Sequence, residues 1–404
     1  MSDEGKVTLE RRGRVAIITI DHPPVNALSP TVFEQLGECF IEASNDDSIE
    51  AIVLTGAGKN FSAGMDLSGV DSFPGPEVIR EANTRLYRLA EAMEDSPKPI
   101  VAAVKGACLG GGCEFAMPCH YRVADETAQL GQPEVNVGLI PGMAGTQRMP
   151  RLVGLMDGLQ IVCGGRNIKA KRALELGLVD KLTLSDKLLD DAVEFALERA
   201  KIGGPHPKAR ERSDKLPDAD MLDQVFQMAH MQVRKEAGRM LAPIKALEAV
   251  EAGIKDGYEK GLDTELNNFI DCVFGDQAAA MVHFFFAMRA TTRVPEFKDL
   301  KSKARPVNSV AVVGGGLMGR DIAFVNLMGG KEVALIEVDQ GRLDAAVEII
   351  RGHFQRRVDR GRMSQDKMDA ALARLKPTLD YADIGDVDLV IEAVFEDMDV
   401  KKAV

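Results

Sequence analysis

The sequence predicts an α/β protein of two successive units, and three observations predict it. Apolar, β-branched runs alternate with amphipathic stretches from Lys6 to Val104, which calls for crossover connections and a largely parallel sheet. A glycine triplet, Gly110 to Gly112, stands between one such run, KPIVAAV, and the short apolar stretch CEFAM. Far downstream the pattern of strand, glycines and helix begins again. There VAVVGGGLMGR follows FKDLKSKARPVNS, whose basic, proline-containing composition reads as an interdomain linker over 297–308.

Length and composition agree with two units. At 404 residues, 45% apolar and 28% charged, the chain is long for one ordinary domain and rich enough to bury more than one core. A net charge of -12 argues against a nucleic-acid partner, because binding phosphate backbones requires a basic face. The six cysteines form no C-x-x-C pair and sit mostly among apolar residues, so reduced core thiols are expected. The N-terminus has no apolar signal core, and AAAMVHFFFAM is too short and interrupted to span a bilayer, so no membrane span is expected. No H-x-x-x-H or carboxylate-cluster spacing suggests a metal site, and no G-x-S-x-G suggests a serine hydrolase.

In order along the chain, Lys6 to Asp21 reads as two strands turning at Arg12-Gly13-Arg14, the second apolar enough to be central. Ser29 before Pro30 predicts a helix N-cap with proline at the first helical position, heading TVFEQLGECFIEASND. A strand over 49–54 leads to the turn AGMDL, expected to place Met65 at a helix N-terminus with Asp66 in the first turn, and Gly58 to Gly75 is expected to vary freely. The helix 77–95 is amphipathic, with Ile79, Leu86, Leu89, Ala90 and Met93 near one face. After 188–200, a further helix, comes a Gly/Pro/charge-rich connector and then a helical stretch from Met221 to Arg289.

The chemistry concentrates between Lys105 and Arg148. A strand-glycine-helix junction presents unpaired N–H groups and a positive dipole end, which suits a developing oxyanion. Glu114 follows on the helix's first turn, and Glu134 comes after a Gln-Pro in a glycine-rich loop, so two carboxylates can converge beside those N–H groups. A glycine triplet alone is more often a tight crossover, and a glutamate at a helix start is more often a surface charge. The setting of Glu114 between Cys113 and Phe115 tips the balance, since an unpaired carboxylate is costly to bury there and buried acids are often functional.

GACLGGGCEFAM and GQPEVNVGLIPGMAGTQR resemble the two glutamate-bearing motifs of the enoyl-CoA hydratase/isomerase, or crotonase, superfamily, and IVLTGAGKNFSAGMDL resembles its other oxyanion turn. The resemblance implies a crotonase-type ββα spiral with its core over 1–200 and helical C-terminal part over 201–296. Those C-terminal helices make trimer contacts in the family, or cover their own domain in fused enzymes. It implies Glu114 as the group activating water, Glu134 as the proton relay to Cα, and the N–H groups of Met65 and Gly111 on the thioester oxygen. It also implies acyl-CoA contacts at Asn26, Ala27, Leu28, Ala63, Asp66 and Gly142, although for Asn26 to Leu28 a simple strand-to-helix turn is as good a reading. The acidic net charge does not stand against CoA, whose phosphates need only a few local cations.

After the linker, Gly314, Gly316 and Gly319 form G-x-G-x-x-G between an apolar strand and a helix, and a second strand ends in Glu337. That context is the one a dinucleotide site requires, with the pyrophosphate at the helix N-terminus and the acid on the ribose hydroxyls, and the acid favours NAD over NADP. This part resembles the NAD-binding domain of 3-hydroxyacyl-CoA dehydrogenases over 309–404, including DVDLVIEAVFEDMDVKKAV. The resemblance implies a Rossmann-type fold and adds Leu317, Met318, Glu392, Ala393 and Val394 to the NAD contacts. The family's catalytic histidine lies beyond that segment. His353, in a helical run, does not fit its place, so a truncated domain without a hydride-transfer base is the expectation, and with it hydration without oxidation of the product. The whole resembles a multifunctional fatty acid β-oxidation enzyme, implying a homo-oligomer or a thiolase partner and a bacterial-like cytoplasmic or a peroxisomal setting. Double-bond isomerisation, which needs one acid at the Glu134 position, and a non-catalytic NAD-binding or assembly module are the competing readings.

Overall fold

The computed structural model of the chain describes residues 5–67, 75–291 and 305–404. It divides into two units, Met1–Val294 and Pro295–Val404. The linker expected over 297–308 and the variable stretch 58–75 fall partly on residues outside those described.

The first unit opens with β1 (Lys6–Arg12) and β2 (Val15–Asp21), then α1 (Pro30–Asn45), β3 (Ala51–Gly56), α2 (Pro76–Glu94) and β4 (Ile100–Val104). Next come β5 (Ala107–Leu109), α3 (Gly111–Ala116), β6 (Tyr121–Asp125), β7 (Gln129–Gly131), α4 (Gly145–Val153) and α5 (Leu155–Val162). The unit continues with β8 (Asn167–Lys169), α6 (Ala170–Leu176), β9 (Lys181–Thr183), α7 (Leu188–Ile202), α8 (Leu222–Ala237), α9 (Ala242–Lys255), α10 (Tyr258–Val273) and α11 (Asp276–Thr291). Six strands pair in the order β1-β2-β3-β4-β6-β9, antiparallel only between β1 and β2. A second sheet, β5-β7-β8, stands beside it.

Side-chain alternation assigns the main sheet's residues to two cores. Val15, Ile17, Ala51, Val53, Val101 and Ala103 pack under Leu188, Ala192 and Ala196 of α7. Their neighbours Ala16, Ile18, Ile52, Leu54, Ile100 and Ala102 face the other way, onto Val32 and Leu36 of α1 and Met93 of α2. A parallel strand covered on both faces has no polar side, which is why β3 and β4 read as unbroken apolar runs. The expected cap is present: Ser29 accepts from the Val32 N–H at 3.3 Å, with proline at the helix start. All six cysteines are free thiols, and five are buried.

Met65 forms an isolated parallel bridge with Leu28, the Asp66 N–H donates to the Leu28 carbonyl, and a 3-10 turn starts at Leu67, two residues after the helix start expected at Met65. Residues 62–66 pair on one side with 25–28 and, through the bridge from Ser62 to Cys108, with β5 on the other, turning at Gly64.

The second unit comprises β10 (Ser309–Val313), α12 (Leu317–Met328), β11 (Glu332–Ile336), α13 (Gln340–Asp359), α14 (Gln365–Leu372), β12 (Leu375–Thr378), β13 (Leu389–Glu392) and α15 (Met398–Ala403). Its four strands are all parallel, in the order β12-β11-β10-β13. That is the 3-2-1-4 order of a doubly wound nucleotide-binding sheet, whose ligand crevice opens between its first and fourth strands, here β10 and β13. Among the described residues, no single helix of the protein is long and apolar enough to cross a membrane.

Candidate active site

Three glycine-bearing turns close around the first site. Gly110, at φ 51°, and Gly64, at φ 100°, hold conformations that favour glycine and let the turns after β5 and after Ser62 lie against each other. A Cβ on Gly64 would stand 2.9 Å from the Leu109 carbonyl and 3.3 Å from the Gly111 nitrogen, and one on Gly111 3.5 Å from the Met65 nitrogen. The Met65 and Gly111 amides are therefore neighbours, and among the described residues neither N–H has a partner. Two adjacent unpaired donors are the geometry an oxyanion requires.

Glu114, 4% exposed, projects from α3 toward the start of α4. Its Oε1 accepts the Met143 N–H at 2.7 Å and the Gly145 N–H at 2.9 Å. Burial drives its proton affinity far above the ordinary carboxyl range; the Glu134 and Glu265 carboxylates add to the rise and the two amides oppose it. Glu134 begins a short 3-10 turn, Glu134–Val137. As a residue it is half-buried, but both of its carboxyl oxygens are shut off from solvent and have no hydrogen-bond partner. Burial raises its proton affinity too. A Cβ on Gly110 would come within 2.9 Å of Glu134 Oε1, and one on Gly145 within 2.6 Å of Glu114 Oε1, so glycine at both places leaves the carboxyls their room.

The Glu134 carboxylate raises the proton affinity of Glu114, and two neighbouring buried carboxyls of this kind titrate as a pair sharing a proton. Hydrogen bonding divides the roles: the Met143 and Gly145 amides favour the ionised form of Glu114, while only its own backbone amide opposes the rise at Glu134. Gln132, fully buried, has neither its Oε1 nor its Nε2 bonded and lies against the same Gly145. Buried polar atoms without partners are rare in folded proteins, and two residues of one loop, Gln132 and Glu134, contribute four of them.

The other expected contacts divide. Leu28 is fully buried, and its Cδ1 would meet a Cβ on Gly111 at 3.3 Å, so it floors the oxyanion turn. Ala63 donates its N–H to Val25, and the Ala27 carbonyl lies 2.7 Å from His22 Nδ1, so both join the turns by backbone. Gly142 has its carbonyl held by Asn83 Nδ2 at 2.8 Å. The Asn26 side chain serves the turn. Its Nδ2 donates to the carbonyls of Ala57, Asn60 and Phe61 and its Oδ1 accepts from the His22 N–H, which leaves the side chain spent on the loop.

Sequence reasoning missed Gln132, although it stands two residues before Glu134 in the same motif. It also missed Glu265 of α10, which accepts from the amides of Ala144 and Thr146, the Thr146 hydroxyl and Tyr87 Oη. No local signal marks that residue, since an acid in an amphipathic helix reads as a solvated charge.

In the second unit the three motif glycines do different work. A Cβ on Gly314, at φ 99°, would lie 2.7 Å from the Ala393 carbonyl, and one on Gly319 would collide with the Gly314 carbonyl. A Cβ on Gly316 would meet nothing, so the turn leading into Leu317 and Met318 is open on the side a pyrophosphate approaches. Glu337, at the end of β11, accepts the Gly315 N–H on Oε1 at 2.8 Å. Glu392, Ala393 and Val394 end β13 directly beside Gly314, with Glu392 paired to Lys401 at 2.7 Å and the Ala393 N–H on the Val313 carbonyl. The residues present fit a dinucleotide. His353 is a partly exposed residue of α13, 3.6 Å from Asp321 and with its ring tilted at 41° against that of Phe324.

Residues 10–258 match the family described as enoyl-CoA hydratase/isomerase, and residues 309–404 match the 3-hydroxyacyl-CoA dehydrogenase NAD binding domain. The chain is 38% identical over 392 residues to the glyoxysomal fatty acid beta-oxidation multifunctional protein MFP-a of Cucumis sativus, covering 96% of this chain and 54% of that protein. It is 39% identical over 396 residues to the peroxisomal fatty acid beta-oxidation multifunctional protein of Oryza sativa subsp. japonica, again 96% of this chain and 54% of the relative. The chain thus spans about half the length of the curated relatives it matches. A crystal structure of an enoyl-CoA hydratase/isomerase from Xanthobacter autotrophicus Py2 shares the fold, with a TM-score of 0.53, 24% identity, and coverage of 74% of this chain and 99% of that one. The paired glycine turns, the buried carboxyls between them and these matches lead to one conclusion: the chain belongs to the enoyl-CoA hydratase/isomerase family, and its second unit is an NAD-binding domain of the 3-hydroxyacyl-CoA dehydrogenase type.

Proposed function

We propose that the first unit adds water across the 2,3-double bond of a 2-enoyl-CoA to give the 3-hydroxyacyl-CoA. The observation that carries this reading is the pair of buried carboxyls, Glu114 and Glu134, set beside the two unpartnered amides of Met65 and Gly111. Glu114, whose Oε1 is held by Met143 and Gly145, takes a proton from water through Oε2 as the water oxygen bonds to C3. The electrons of the C2=C3 bond move toward the thioester oxygen, where the N–H groups of Met65 and Gly111 receive the developing charge. Glu134 then gives its proton to C2 as the enolate collapses, and exchange of one proton between the two carboxyls restores the starting state. Leu28, Ala63, Asp66 and Gly142 shape the groove through backbone and apolar surface, with the Ala27 carbonyl at its edge.

The second unit is proposed to hold NAD with its pyrophosphate at Gly314 to Gly319 and the start of α12, its ribose hydroxyls on Glu337, and Glu392 to Val394 along the β10–β13 crevice. When bound, NAD supplies a hydride acceptor suited to the 3-hydroxyl group that hydration creates. The names of the relatives, glyoxysomal and peroxisomal β-oxidation multifunctional proteins, support coupling of the two reactions in the intact protein. Loss of the conjugated thioester absorbance of crotonyl-CoA on mixing with the protein tests the hydration step. Absence of any such loss in well-folded protein would overturn it.

A further inference from the structure

The four consecutive amides of Met143 to Thr146 are divided between two carboxylates. Met143 and Gly145 donate to Glu114 Oε1, at 2.7 and 2.9 Å, while Ala144 and Thr146 donate to Oε1 and Oε2 of Glu265, at 2.6 and 2.9 Å. Such alternation requires a kinked backbone, and Ala144, at φ 67°, supplies it as one of only two non-glycine residues with positive φ among those described. Those of Ala144, Gly145 and Thr146 are among the N–H groups that a helix start must satisfy, here the start of α4. Glu265, fully buried on α10, also receives the Thr146 hydroxyl and Tyr87 Oη, so four donors converge on it. α10 begins at Tyr258, where the match to the family ends.

We propose that Glu265 is a positioning residue for hydration: by clamping Ala144 and Thr146 it fixes the Met143 and Gly145 amides that orient Glu114. This rests on the two-glutamate reading of the site. The groups that face Glu265 are Tyr87 from α2, Glu114 from α3, Glu134, Arg148 from α4 and Tyr258 from its own helix. Burial raises the proton affinity of Glu265 itself, its donors from Thr146, Ala144 and Tyr87 oppose that rise, and in its ionised form it raises the proton affinity of both Glu114 and Glu134. Removing that charge therefore shifts both limbs of the pH–rate profile to lower pH, an effect that simple loosening of the fold does not produce.

The test compares Glu265→Gln, Glu265→Asp and Tyr87→Phe with the unaltered protein in crotonyl-CoA hydration, reading kcat, KM and the pH profile. Glu265→Gln keeps the side-chain size but turns a donor toward Thr146 or Ala144. It is expected to lower kcat on the order of 10- to 100-fold with little change in KM, as misplacement of a reacting group does, and to shift the profile downward. Glu265→Asp retains the charge and should restore the profile's position. Tyr87→Phe removes one donor, leaves the ring in place, and should shift the profile the same way by less, which keeps the test usable if Glu265→Gln does not fold. A kcat unchanged in Glu265→Gln, or a profile that stays put in both Glu265→Gln and Tyr87→Phe, would overturn the proposal. Parallel Glu114→Gln and Glu134→Gln variants separate the two claims. If those remain active the two-glutamate reading itself fails; if they are inactive while Glu265→Gln behaves as the parent, only the positioning role fails.

Discussion

Glu134 is kept in the fold at a cost, and that cost is measurable. Burial raises its proton affinity in the folded state, so the folded protein binds a proton more tightly than the unfolded chain, and stability falls as pH rises from the free-carboxyl value of about 4.3 toward the raised one. Glu134→Gln removes the penalty. Its thermal midpoint should exceed the parent's at pH 8 and converge with it near pH 4, and a lower midpoint at pH 8 would show that the carboxyl is paired in a way the structure does not reveal. Glu337 offers the opposite case, a residue whose value lies in binding. Glu337→Ala should weaken NADH binding on the order of 10-fold or more, the loss expected when hydrogen bonds to a charged group, about 1.5–3 kcal/mol, disappear. Fluorescence titration of NADH reads this directly, and an unchanged affinity would mean that the carboxylate serves only the Gly315 amide. Both acids were legible in the sequence because each sits at a fixed offset from glycines. Glu265 and Gln132 were not: what makes them part of the site is a contact made across more than a hundred residues in the first case and a missing partner in the second, and neither leaves a mark on local pattern.

Elements carry the second kind of legibility. The apolar runs of β3 and β4, the Ser29 cap and the strand-glycine-helix start of the second unit all depend on neighbours in sequence, and all appear where the residues place them. Ser29→Ala should lower stability by about 1 kcal/mol, the usual worth of such a cap, as read by denaturant unfolding of the first unit; no loss would mean that Pro30 alone sets the helix start. The stretch after Ser62 is different. Its chemistry suggested a helix start at Met65; pairing with 25–28 and with β5 holds residues 62–66 and moves the first helical residue to Leu67, and that pairing is decided by partners distant in the chain. The dinucleotide turn separates its own glycines by role. Gly316→Ala should leave the unit folded and reduce NADH affinity, whereas Gly319→Ala, which drives a Cβ into the Gly314 carbonyl, should destabilise the unit itself. Equal effects of the two on folding would contradict the assignment of the open and the closed glycine.

At the scale of the whole molecule, two units with separate cores imply two separately addressable functions. Saturating NADH, at about 100 times its dissociation constant, should stabilise the unit that binds it by about 2.7 kcal/mol, and in calorimetry this should raise one thermal transition and leave another in place. A single transition raised as a whole would show that the units unfold as one. The central claim is narrower: Glu114 and Glu134 together hydrate an enoyl-CoA. It is tested most directly by following crotonyl-CoA absorbance with the unaltered protein, Glu114→Gln and Glu134→Gln side by side, with circular dichroism confirming that each is folded. The account predicts rapid loss of the conjugated thioester band with the parent and a fall of roughly 10²- to 10⁴-fold in each variant, the range a positioned acid or base supplies. Near-parental hydration in either folded variant would contradict it.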